Sequence, residues 1–171
     1  MTLHGRLVTL RPATVADVPA LVAIRLAPAV RERWGGDRVD EIEDEIRESI
    51  DDPDLGYLAV LLADRVVGAI QWSEADDPMY RHAGIDIFLD PEIHGRGVGP
   101  DAVRALCVHL LDDAGHHRLV IDPAADNEAA IRCYAKVGFR PVGVMRRYEL
   151  GPDGAWHDGL LMDLLAEDLI R

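Results

Sequence analysis

The sequence predicts an α/β (α+β) chain in which a mixed sheet is flanked by helices. Two pairs of apolar runs, Tyr57–Ala63 with Val66–Trp72 and about Val142–Leu150 with Trp156–Leu164, are each joined by a short polar turn and read as antiparallel hairpins. Between them, the order strand, glycine-rich turn, long helix, strand runs from Ile85 to Ile121 and implies a parallel crossover. The length of 171 residues and the hydrophobic content of 49% fit one domain with a buried core, so residues 1–171 are expected to form a single unit.

The remaining elements follow from periodicity. Arg6 to Arg11 alternates apolar and polar and reads as a strand. Asp17 is placed to cap a helix running to about Ala27. A loop through Trp34-Gly35-Gly36 precedes a second helix whose apolar stripe is Val39, Ile42, Ile46 and Ile50. Its other faces carry Asp40, Glu41, Glu43, Asp44, Glu45 and Glu48. Val103, Leu106, Cys107, Leu110, Leu111 and Ala114 form the expected stripe of the long helix. Glu128 to Val137 is a shorter helix ended by Gly138.

Composition excludes several classes. A net charge of −13 repels nucleic acid and anionic membrane surfaces and attracts cations, although solubility alone explains such a charge equally well. No apolar run is long enough to span a membrane, and Met1 to Arg6 lacks the pattern of a secretory signal, so a cytoplasmic protein is expected. Cys107 and Cys133, without a Cys/His cluster, read as buried thiols, and no metal is expected.

The chemistry-bearing segment is His94-Gly95-Arg96-Gly97-Val98-Gly99, directly after a strand and directly before a helix. Free amides at a helix N-terminus favour an anion, and glycines let the backbone approach a phosphate closely. A Walker loop is excluded because Gly-Lys-Ser/Thr is absent. A dinucleotide loop is excluded because this turn follows the fourth predicted strand rather than the first.

The stretch Phe88-Leu89-Asp90-Pro91-Glu92-Ile93-His94-Gly95-Arg96-Gly97-Val98-Gly99 resembles the pyrophosphate-binding motif of the GNAT superfamily, with His94 where Gln or Arg is usual. Asp126-Asn127-Glu128-Ala129-Ala130-Ile131-Arg132-Cys133-Tyr134 through Gly138-Phe139 resembles that superfamily's downstream element. The resemblance implies a GNAT fold with a V-shaped splay between the fourth and fifth predicted strands, Ile85–Leu89 and Leu119–Ile121. It also implies acetyl-CoA as co-substrate. Phe88, Leu89, His94, Gly95, Arg96, Gly97, Val98, Gly99, Asn127 and Tyr134 are the implied cofactor contacts, and Tyr134 is the implied acid for the departing thiolate. On the residues alone, Tyr134 is equally a core tyrosine and Asn127 a helix N-cap.

Three further segments resemble the aminoglycoside 6′-N-acetyltransferases: Arg33-Trp34-Gly35-Gly36-Asp37, Asp77-Pro78 with Gly84-Ile85-Asp86, and Ile121-Asp122-Pro123 with its following helix. That likeness implies Asp86 as general base and Trp34, Asp77, Asp86 and Asp122 as acceptor contacts, with a small cationic amine as partner. Asp86 otherwise reads as a solvent-facing strand residue. The tail from Val144 to Leu164 instead resembles enzymes that acetylate protein N-termini or general small amines. A non-catalytic acyl-CoA sensor and a homodimer through the last strands are also arrangements the sequence allows.

Overall fold

The structure is a computed structural model describing residues 1–35, 40–75 and 77–171. Eight strands form one sheet in the order β1-β2-β3-β4-β5-β6-β8-β7. They are β1 (Leu3–His4), β2 (Thr9–Pro12), β3 (Leu55–Leu62), β4 (Arg65–Ala75), β5 (His82–Leu89), β6 (Arg118–Ile121), β7 (Arg140–Leu150) and β8 (Trp156–Leu165). The helices are α1 (Val18–Arg25), α2 (Pro28–Trp34), α3 (Glu41–Asp51), α4 (Val98–Val108) and α5 (Glu128–Ala135).

The expected mixed sheet is present. Ala63 and Asp64 both have positive φ (48° and 64°), the backbone twist that suits a two-residue hairpin between β3 and β4. The crossover β5-α4-β6 is parallel, but its ladder holds only Ala83↔Leu119 and Gly84↔Val120 before the strands part. All other neighbouring pairs are antiparallel.

Four local expectations are corrected. A short strand, β1, precedes the first expected one, so the splay lies between β5 and β6. The segment after α1 is not a plain loop but α2, whose Pro28 supplies the preset φ of a first helical position. In α3, Ile42 and Ile46 are fully buried, each worth about 1.5–3 kcal/mol of apolar burial, while Ile50 is exposed at the helix end. Ala114 is likewise exposed, because the last turn of the α4 segment, His109–Asp113, widens to a π-turn and rotates the stripe out of phase. Val39 lies outside the described residues.

One apolar cluster packs α4 and α5 against one sheet face through Val103, Leu106 and Leu110. A second packs α1, α2 and α3 against the other through Leu21, Val30, Ile42 and Ile46. Among the described residues no helix is long and apolar enough to cross a membrane.

Candidate active site

Where β5 and β6 part, a cleft of about 470 Å³ opens. Ile87, Phe88 and Leu89 form one wall, the turn through His94, Gly95, Gly97 and Gly99 the second, and Asn127, Ala130, Cys133 and Tyr134 of the α5 region the third. Gly95 (φ 76°) and Gly97 (φ 81°) both adopt the left-handed conformation, and Gly97 caps α4. Such turned backbone at a helix N-terminus gathers amide N–H groups into an anion cradle.

Gly99 serves by smallness: a Cβ there would stand 3.1 Å from Cys133 Sγ and 3.5 Å from Leu89 Cδ1. Val98 is buried in the core, so only its backbone faces the turn. Arg96 is exposed and does not line the cleft, against the expectation of a side-chain contact there. Asp101, in the first turn of α4, is buried and accepts from the amides of Arg6 (3.0 Å), Leu7 (2.7 Å) and Val8 (3.1 Å). That carboxylate ties the β1–β2 connection to α4 behind the cradle.

The cleft's charge departs from that of the whole chain. Arg33, His94, Arg132 and Lys136 line it, and no carboxylate does among the described residues. Across its rim, Arg33 of α2 and Asp126 before α5 form an ion pair at 2.6 Å.

Tyr134 lines this cleft and packs edge-to-face on Phe139. Burial, with smaller contributions from Cys133, Asp86 and Asp122, raises its pKa well above the usual phenol value, so it carries its proton at neutral pH. Asn127 is the N-cap of α5, its Oδ1 accepting from Ala130 N at 3.2 Å, and it also lines the cleft. Of the two thiols, Cys107 is buried, whereas Cys133 is half-buried and reaches the cleft; burial pushes its pKa up to about 11, which keeps it as the thiol.

A second cleft, of about 180 Å³, lies against the sheet face under α3 and is lined by Glu45, Glu48, Tyr57, Gln71, Trp72 and Asp86 among others. Asp86 lines the smaller cleft and its chain neighbours Ile87 and Phe88 line the larger one, so the two clefts are neighbours along β5 with no lining residue in common among the described residues. Its carboxylate is reachable by water yet set deep among protein atoms. Lost hydration, then the charges of Asp122, Glu149 and Glu45, push its pKa up to about 6, with Gln71 opposing.

The other expected acceptor contacts separate. Asp122 accepts from Tyr148 Oη at 2.6 Å and is close enough to Asp86 to raise its pKa. Trp34 faces the larger cleft, edge-to-face on Phe88 (5.4 Å), with the Arg25 guanidinium 4.8 Å above its ring. Asp77 shapes an exposed turn by accepting from Met79 N, and it lines neither cleft. Gly36 and Asp37 lie outside the described residues.

Sequence reasoning did not select Tyr148, Glu149, Gln71 or Tyr57. Tyr148 is delivered by a bulge in β7, where Arg147 has φ 51° and its amide donates to Asp158 at 2.7 Å. The run Arg146-Arg147-Tyr148-Glu149 lies in the tail from Val144 to Leu164, but nothing in it shows the bulge.

A splayed parallel pair with an amide cradle at one lip and a protonated tyrosine at the other defines an acyl-thioester transfer site. The acetyltransferase (GNAT) domain profile matches residues 7–140, and the chain belongs to this family, whose co-substrate is acetyl-CoA. It is 31% identical to the aminoglycoside N(6′)-acetyltransferase type 1 of Klebsiella pneumoniae over 86% of this chain and 79% of that protein. An uncharacterized protein of Mycobacterium leprae, ML0378, is 36% identical over 54% of this chain, but the match spans only 25% of that longer protein. Among solved structures, Mycobacterium smegmatis RimJ in complex with CoA-disulfide superposes with a TM-score of 0.88 at 25% identity, covering 100% of this chain and 90% of that one.

Proposed function

We propose that this chain transfers acetyl from acetyl-CoA to a primary amine of a small polycationic acceptor of the aminoglycoside class. The observation that carries the reading is a carboxylate-lined cleft beside a larger cleft that no described carboxylate lines, with Asp86 in the first and its neighbour Ile87 in the second. A polycation gains from converging carboxylates, and a net charge of −13 steers it inward. The likeness to an aminoglycoside N(6′)-acetyltransferase over most of the chain supports the same acceptor.

In this reading the amides from Gly95 to Gly99 hold the pyrophosphate, and Arg33, Arg132 and Lys136 add charge along the groove. The backbone of Phe88 and Leu89, unpaired on the β6 side, orients the pantetheine arm. Acetyl-CoA supplies the activated acetyl thioester. Asp86 takes the proton that the acceptor ammonium must lose before its nitrogen can bond to the acetyl carbon. As the carbon–sulfur bond breaks, Tyr134 gives its proton to the sulfur, and the second proton shed by the new amide nitrogen restores the phenol. Asp122, oriented by Tyr148, holds a further positive group of the acceptor.

A thiol-release assay against aminoglycosides, linear polyamines and short peptides, at low and moderate salt, tests the acceptor. Polycations are expected to be preferred, and the preference should fall as salt screens charge over a Debye length of about 8 Å at physiological strength. Turnover confined to peptides would overturn the acceptor. That second outcome has its own support in the β7 segment around Tyr148 and in the likeness to RimJ.

A further inference from the structure

We propose that Tyr57, Glu45 and Glu48 form a subsite for a second ammonium group of the acceptor, one flanked by a hydroxyl. The inference rests on the reading of a polycationic acceptor and deepens it.

Registers across three strands set Tyr57 opposite Gln71 and Gln71 opposite Asp86. Residues opposite one another point to the same face, so these three form one polar row along the floor of the smaller cleft, two strand spacings or about 10 Å long. Asp86 stands at one end beside the cofactor cleft, and Tyr57 at the other. Above the row, Glu45 and Glu48 of α3 line the same cleft, and their i,i+3 spacing sets them on one helix face.

Tyr57 supplies the independent observation. The residue is only 4% exposed, it lines the cleft, and its buried Oη has no hydrogen-bond partner among the described residues. A buried hydroxyl without a partner is costly, and a ligand that pairs it removes that cost. Burial and the charge of Glu45 hold the group as O–H, with Arg25 opposing. The hydroxyl therefore offers one donor and free lone pairs. An ammonium satisfies the lone pairs and is neutralised by the glutamates. The O–H needs an acceptor as well, and an oxygen on the neighbouring carbon of an amino alcohol provides it. A linear polyamine leaves that donor unmet.

The experiment compares kcat/KM for kanamycin, spermidine and n-butylamine in wild type, Glu45→Gln, Glu48→Gln and Tyr57→Phe, with melting curves throughout. Each glutamine variant should lower both polycations relative to butylamine by about fivefold, the size of a solvent-accessible ion pair. Tyr57→Phe should lower kanamycin relative to spermidine by roughly two- to tenfold, one hydrogen bond's worth. Its melting temperature should not fall, since the lost hydroxyl had no protein partner. Unchanged ratios in an enzyme that does acetylate polycations, with turnover that depends on Asp86, would overturn this inference alone. A wild type inactive on every polycation would overturn it together with the proposed acceptor.

Discussion

Along β5 the larger cleft is built from turned backbone, glycines and four basic side chains, whereas the smaller one is walled by Glu45, Glu48 and Asp86. Backbone amides present a fixed pattern of donors that depends little on side-chain identity, which suits a ligand that does not vary. Side chains can be exchanged without moving the fold, which suits a ligand that does. The division also solves an electrostatic problem. In the proposed function, a chain of net charge −13 holds a polyanion and a polycation within a few residues of each other. It does so by lining the smaller cleft under α3 with Glu45, Glu48 and Asp86 and the larger one with Arg33, Arg132 and Lys136.

The largest expected effect falls at Asp86, on the stretch of β5 that lines both clefts in turn. Asp86→Asn removes the proposed base and should lower kcat by roughly 10²–10⁴-fold. Wild-type kcat/KM should rise through about pH 6 as Asp86 loses its proton, and the variant should lack that step. Stability carries the opposite sign. The folded carboxyl, raised from 3.8 to about 6, binds more protons than the unfolded one across that interval, so folding weakens as pH rises through it. Above pH 6 the asparagine variant should therefore melt no lower than wild type. An unshifted profile with full kcat would remove Asp86 from the chemistry.

A smaller effect tests the backbone-built side. Gly99→Val places a branched side chain between Leu89 and Cys133, where even a Cβ stands 3.1 Å from the sulfur. Overpacking of this kind costs about 1–3 kcal/mol, and where the cost falls on the bound state acetyl-CoA affinity by calorimetry should drop about five- to 150-fold. Affinity at the wild-type level, with an intact melting curve, would show that the cofactor does not pass this point. Smallest is Tyr134→Phe, which keeps the ring and its packing on Phe139 but holds no proton. With chemistry rate-limiting, kcat should fall about tenfold while acetyl-CoA affinity holds. Loss of affinity without loss of kcat would make Tyr134 a wall residue only.

Most of the cofactor cleft was legible in the chain, because its parts are local. A strand, a glycine-spaced turn and a helix start follow one another within the stretch from Ile85 to Gly99, and backbone conformation there depends on neighbouring residues. The smaller cleft was legible only in pieces. Asp86 was selected by position on its strand, and the acidic helix was visible as a charged face, yet Trp34 was expected at the acceptor and lies on the cofactor side. Its placement follows from the stack with Arg25 of α1 and with Phe88, which is distant in sequence and reached only when α1 and α2 pack on the sheet.

The sequence by itself determined the alternation of strands and helices, the two hairpins, the parallel crossover and the anion cradle, all features set by period, turn chemistry and local backbone freedom. Tertiary structure alone decided which carboxylates converge. Asp86, Asp122, Glu149 and Glu45 come from three strand regions and a helix, and their mutual charge, which raises the Asp86 pKa, exists only once the sheet has formed. It also decided that Asp101 would be spent on three backbone amides and that Tyr57 would be buried without a partner. Coulombic and hydrogen-bonding terms depend on distances between remote segments, and those distances are properties of strand register and helix packing rather than of any local run of residues.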